Sequence, residues 1–173
     1  MKRTHLALLP LAALALFLGS GCNSSTVKPR AFEVQLSIDK SLETTSLQVD
    51  LIGANTLADL PKWSAYSVTD YWQPDNLQRR DAAKFTYQFG RGLRTTVTIS
   101  RDDPRWQPWL KSGVAHLVIL ADLPGGATDQ MGNADPRRLI IPLDKKLWKR
   151  KAPLEIVIQE GGIKLLTKQK KQN

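Results

Sequence analysis

Few side chains in this chain could do chemistry. Among 173 residues there is one cysteine, Cys22, and two histidines, His5 and His116. A single histidine inside the apolar run Val114–Ala121 and a single cysteine near the N-terminus do not make the nitrogen and sulfur ligand set that zinc takes. There is no Gly-x-Ser-x-Gly elbow, no glycine-rich phosphate loop and no Cys-His pairing. Asp102 and Asp103 stand before Pro104, a combination that reads as turn chemistry. Asp129, Asn133 and Asp135 in the loop Pro124–Pro136 are spaced like part of a calcium loop, without its glycine position and terminal glutamate. His116 reads as a core or edge residue of a strand. The expectation is therefore no catalytic residue, no metal and no cofactor: a chain that is not an enzyme.

Cys22 is the exception. A basic start (Lys2, Arg3) is followed by the apolar stretch Leu6–Leu18 and the small residues Gly19-Ser20-Gly21. That order describes a secretory signal peptide, and the stretch is shorter than the roughly 20 apolar residues that span a bilayer. A cysteine directly after the small residues is expected to be acylated and to become the first residue of the mature chain, as in bacterial lipoproteins; the alternative is an ordinary signal peptide cleaved near the same point, leaving a free thiol. Stable anchoring takes more than one acyl chain, and covalent lipid on Cys22 is the only non-protein group implied. Asn23 follows it, where an Asp commonly marks inner-membrane retention in that class. The expected location is the outer membrane, facing the periplasm.

The elements that would carry this function follow from periodicity. The expected division is a signal peptide over 1–21, a lipidated polar tether over 22–30, one domain over 31–167 and a basic tail over 168–173. With one cysteine no internal disulfide can form, so packing alone must hold the domain. Phe32, Val34, Leu36 and Ile38 alternate with Glu33, Gln35, Ser37 and Asp39, the pattern of a half-buried strand. Leu47, Val49 and Leu51 repeat it, with Lys40–Ser46 between them. Tyr87 and Phe89 lead through Gly90-Arg91-Gly92 to Leu93, Thr95, Val97 and Ile99. Val114–Ala121 reads as a central strand and Leu139–Leu143 as a shorter one. Leu154–Gln159 and Ile163–Leu166 flank Gly161-Gly162, a hairpin signal. Seven to eight short strands with turns between them predict an all-β fold, a two-sheet β-sandwich of transthyretin or immunoglobulin type.

Two segments break the pattern. Leu60–Trp72 places Trp63, Tyr66 and Asp70 at helical spacing with Pro61 suited to a first turn; it predicts a short helix packing aromatics over one end of the sandwich. Asp102–Leu110 predicts a turn or a single helical turn. Trp106, Trp109 and Trp148 lie outside the strands, where they either plug the fold or face a partner. With Arg101 and Arg105, the first two could form a stacking platform for glycan or peptidoglycan.

The formal charge of +9 falls by two once Lys2 and Arg3 leave with the signal. Much of the excess sits in Lys145-Lys146, Lys149-Arg150-Lys151 and Lys168-Gln169-Lys170-Lys171. Such runs suit nucleic acid, an anionic membrane surface or an acidic partner, or plain solvated surface. Export removes nucleic acid.

The order of parts resembles the outer-membrane lipoproteins of type VI secretion systems, the TssJ family. The resemblance rests on a lipidated cysteine, a strand like Phe32–Ile38, a polar loop and a second strand like Leu47–Ile52. An aromatic- and acid-rich helical insert like Leu60–Arg80 follows, and then strands like Val114–Ala121, Leu139–Leu143 and the final pair Leu154–Leu166. It implies a scaffold: a lipoprotein under the outer membrane that holds the periplasmic end of a large inner-membrane subunit of the secretion complex. The loop between the first two strands contacts that partner in the family. By position the loop is Lys40, Ser41, Leu42, Glu43, Thr44, Thr45 and Ser46, with Leu42 as its apolar anchor and Glu43 as its charge. A lipid-anchored glycan-binding module is the alternative.

Overall fold

The structure, a computed structural model, describes residues 27–55 and 57–171. The expected signal peptide and Cys22 lie outside the described residues. Eight strands form two four-stranded sheets, ordered β4-β1-β7-β8 and β3-β2-β5-β6. They are β1 (Val34–Ile38), β2 (Leu47–Asn55), β3 (Lys84–Phe89), β4 (Thr96–Ile99), β5 (Val114–Ala121), β6 (Arg138–Pro142), β7 (Leu154–Gln159) and β8 (Gly162–Leu165). Alternation sets the inward faces: Val34, Leu36 and Ile38 of β1 are buried while Gln35 and Ser37 are not. The inner faces of both sheets meet in one core that includes Leu36, Ile156, Val49, Leu51, Leu117 and Ile119. Burial of each such side chain stabilises the fold by roughly 1.5–3 kcal/mol. All the strands and all the core residues named here lie between Ala31 and Leu166.

Pairing runs across long sequence distances. β1 is antiparallel to β4 (Val34↔Ile99) and parallel to β7 (Val34↔Leu154). β2 is antiparallel to both β3 and β5. Thus β1 and β2, adjacent in sequence, belong to different sheets, and Lys40–Ser46 crosses between layers instead of closing a hairpin. β7 and β8 do form the expected hairpin, with Gln159 paired to Gly162.

The aromatic insert differs from the expected single helix over one end. It forms α1 (Leu60–Ala65), α2 (Val68–Tyr71) and α3 (Leu77–Asp81). Ser67 breaks the first run: its backbone is extended and its hydroxyl accepts the Asp70 N–H, capping α2. Asn76 caps α3 in the same way through the Arg79 N–H. Trp63, Val68 and Tyr71 pack on Ile52, Ala54, Val118 and Leu120 in a second apolar cluster, separate from the main core. The helices therefore cover the outer face of β2 and β5. That explains why β5 is apolar on both faces. A fourth helix, α4 (Trp106–Lys111), precedes β5. Among the described residues no helix is long and apolar enough to cross a membrane.

Candidate partner-binding rim

The crossing from β1 to β2 is a shaped ridge. Lys40–Leu42 form a 3-10 turn whose N-cap, Asp39, accepts the Ser41 N–H at 3.2 Å. The Leu42 N–H bonds the Asp39 carbonyl, and the Thr45 N–H bonds the Leu42 carbonyl. Leu42 points inward and is fully buried in the main core. This corrects its expected role: it anchors the loop to its own domain and presents nothing to a partner. Lys40, Ser41, Glu43 and Thr44 are exposed and Thr45 is half-buried.

A second loop buttresses the ridge. The Arg91 N–H donates to the Glu43 carbonyl at 2.6 Å. Gly90 (φ +75°) lies against the Thr45 and Leu42 carbonyls so closely that a Cβ would collide with Thr45. Gly90, Arg91 and Gly92 all have positive φ, and this turn keeps Leu93 and Arg94 out of β4, which starts only at Thr96. Leu93 is 51% exposed. It is the apolar side chain this rim offers outward, beside the charges of Lys40, Glu43, Arg91 and Arg94. The alternating pattern had assigned it to a strand; its place beside a Gly-x-Gly turn was the available signal.

The same end of the sandwich carries the loop from Asp122 to Arg137, because Asp122 follows β5 where the Asp122 N–H bonds the Gln48 carbonyl. An ionic clasp ties this loop to α2. Asp129 accepts from the Ser67 hydroxyl (2.6 Å), the Thr69 N–H (3.0 Å) and Arg137 Nη2 (2.6 Å). Burial opposes its ionisation, yet these donors win and hold its carboxyl at about 2. Asp135, fully buried, also accepts from Arg137, and the neighbouring Arg138 donates to the carbonyls of Trp63, Ser64 and Tyr66. The calcium-like acids therefore serve as guanidinium partners, and among the described residues no group of three or more His, Cys, Asp or Glu is placed to hold a metal ion.

The described chain begins at the other end, where Val27–Arg30 lead into β1. The Arg30 N–H bonds the Leu143 carbonyl, and Pro29 bridges Asp144. From Arg30 the chain runs straight through β1 to Lys40, a distance of about 30 Å for an extended segment of that length.

The remaining candidates are structural. Trp106 and Trp109 are buried, not a platform: their rings meet edge to face at 5.8 Å, and Trp109 stacks on Phe85 at 4.3 Å. Arg105 is held by Asp103, with its guanidinium over Phe85. Trp148 is fully buried and donates Nε1–H to the Pro142 carbonyl, so only the cations around it face water. Trp63 is buried under the helices and Trp72 half-buried. His116 is half-buried with Nδ1 unpartnered, and burial lowers its pKa.

Neither a family model nor a curated protein matches the sequence. Among solved structures, the chain is similar to one described as the C-terminal domain of the T6SS protein TssM from EAEC, with 15% identity over 78% of this chain and 99% of that one, at a TM-score of 0.52. It is also similar to the T6SS lipoprotein TssJ1 from Pseudomonas aeruginosa (12% identity, 84% of this chain, 100% of that one, TM-score 0.49). A third similar structure is Serratia marcescens Lip, a membrane-bound component of the type VI secretion system (12%, 84%, 100%, 0.47). The likeness to the first of these is one of fold, and the fold is the expected β-sandwich.

Proposed function

We propose that this chain is a non-catalytic lipoprotein subunit of a type VI secretion membrane complex, anchored in the outer membrane through lipid on Cys22. Its rim of Lys40, Ser41, Glu43, Thr44 and Thr45, extended by Arg91 and Leu93, binds the periplasmic domain of a large inner-membrane subunit. The observation that carries this reading is polar placement. The tether enters at one end of β1 and the ridge lies at the other, so lipid below and partner above load the domain along its strands. The likeness in fold to one solved T6SS protein, the TssM C-terminal domain, is in keeping with a place in such a complex.

The mechanism is tethering. Lipid fixes one pole, the hydrogen-bonded ridge presents a preformed surface at the other, and little ordering is needed on binding. The test is a binding measurement between the purified domain and the C-terminal periplasmic domain of the TssM-like subunit from the same cell. A Glu43→Arg/Leu93→Asp double variant is expected to bind at least ~10-fold more weakly, since a central apolar anchor typically carries more than 1 kcal/mol. Its thermal midpoint should not change. Undiminished affinity in that variant sinks the assignment of the rim. The glycan-binding alternative loses its platform, because both tryptophans it needs are buried.

A further inference from the structure

The pole opposite the rim carries cations that form no ion pair with a carboxylate among the described residues. Arg30, Lys145, Lys146, Arg150 and Lys170 line one shallow depression. Antiparallel pairing of Val34 with Ile99 brings Arg101 alongside, and the charges of Arg101 and Arg150 add to burial in lowering the Arg30 pKa. Backbone bonds build the cluster from three separate segments: the Lys145 N–H donates to the Lys28 carbonyl at 3.1 Å and the Lys170 N–H to the Leu147 carbonyl at 2.8 Å. Arg30 lies with its guanidinium 4.4 Å over the Phe32 ring and donates Nη2–H to the Lys149 carbonyl. The buried Nε atoms of Arg30 and Arg101 have no hydrogen-bond partner among the described residues. Asp144, the nearby acid, uses its carboxylate to cap the Lys146 N–H. Among the described residues every ion pair lies elsewhere, on Asp50, Asp81, Asp103, Asp129 and Asp135.

Like charges gathered this closely repel one another, and the fold gains nothing from the arrangement unless an anion meets it. The covalent path names the anion. Val27 is five residues from Cys22, so the sulfur's backbone cannot lie more than about 18 Å from Val27. We infer that Arg30, Arg101, Lys145, Lys146, Arg150 and Lys170 form a docking surface for the anionic phospholipid headgroups of the membrane holding the Cys22 lipid, and so orient the rim away from it. This inference rests on the lipoprotein reading and adds a second, electrostatic contact to the acyl chains. A lipid alone leaves a domain free to tumble about its tether; a charged face seated on the headgroups stands β1 upright. Attraction of this kind decays within about 8–10 Å at moderate salt, so only the pole beside the tether can use it.

The test uses the chain from Asn23 onward, without lipid, which contains both sheets and both apolar clusters. Its binding is measured by co-sedimentation with vesicles containing phosphatidylglycerol and with vesicles of phosphatidylcholine alone. Preference for the anionic vesicles, lost at high salt, is expected. Each cation near such a surface contributes about fivefold in affinity, so Lys145→Gln/Lys146→Gln/Arg150→Gln/Lys170→Gln should weaken binding at least ~100-fold. A control with the same charge loss elsewhere, Lys62→Gln/Arg80→Gln/Lys111→Gln/Lys164→Gln, should keep most of it. Thermal midpoints of both variants verify folding. Equal binding to the two vesicle types, or equal losses in the two variants, overturns the inference. The mass of the membrane-borne chain, which reports lipid on Cys22, tests the anchor separately.

Discussion

Tyr71 donates its hydroxyl to Asp50 Oδ2 at 2.8 Å, and the carboxylate it meets is fully buried in the middle of β2. Arg79 Nε (3.0 Å) and the Thr86 hydroxyl (2.6 Å) complete the shell. One acid on the outer face of β2 thus ties α2, α3 and β3 together, and burial with the Asp50 charge pushes the Tyr71 pKa up. Replacing Tyr71 with Phe removes one donor from a buried anion and should cost about 2 kcal/mol. Urea unfolding measures this; a loss under ~0.5 kcal/mol, the usual surface value, would show the bond to be incidental.

Leu42 and Leu93 should separate folding from binding. Leu42→Ala empties a filled core site and is expected to destabilise by about 2–5 kcal/mol. Leu93→Ala should leave stability within ~0.5 kcal/mol while weakening capture of the periplasmic partner. Paired unfolding and binding curves for the two variants check the division, and a reversed pattern would refute it.

Two glycines in one turn should respond differently. Gly90→Ala sets a methyl against the Thr45 carbonyl at a positive φ, whereas Gly92 (φ +77°) has open space around it. The Gly92→Ala cost should stay near the backbone penalty of about 1–2 kcal/mol, and Gly90→Ala should exceed it. Calorimetric midpoints decide the order.

Acid should loosen the clasp beneath the rim. The Asp129 carboxyl is held at about 2 in the fold, against roughly 3.9 in an unfolded chain. Its contribution is therefore complete above about pH 4 and is withdrawn as pH falls toward 2. Asp129→Asn should lower stability at neutral pH and flatten the acid limb of the stability profile between these values. An unchanged limb would show that another group controls it.

Trp106 and Trp109 provide a check on the discarded platform. Either one replaced by Ala should cost about 3–5 kcal/mol, read as a lowered unfolding midpoint. A folded, fully stable variant that had lost binding to cell-wall sacculi would restore the glycan reading.

The strands were legible because alternation is local. β5 and β7 match their expected bounds, and the Gly161 turn closes its hairpin. The crossing from β1 to β2 was half legible. The break in alternation at Lys40–Ser46 placed a connection there, its partner-binding role came only from the resemblance, and the inward direction of Leu42 followed from neither, because the layer that Leu42 faces is not written in the loop. Leu93 was hidden by the opposite error, since its spacing continues β4 while the left-handed turn before it removes it from the ladder.

By itself the sequence determined which residues share a face of a strand, where turns fall and that no disulfide within the chain braces the fold. Only the tertiary structure decided that β1 and β2 part into different sheets, that β1 lies parallel to β7, that the aromatic helices cover a face and that Trp63, Trp106, Trp109 and Trp148 are buried. It also brought Arg30, Arg101 and Lys170 to one corner. The reason is that a period of two states which side chains point together, whereas sheet partners and buried aromatics are chosen by contacts between segments far apart in the chain.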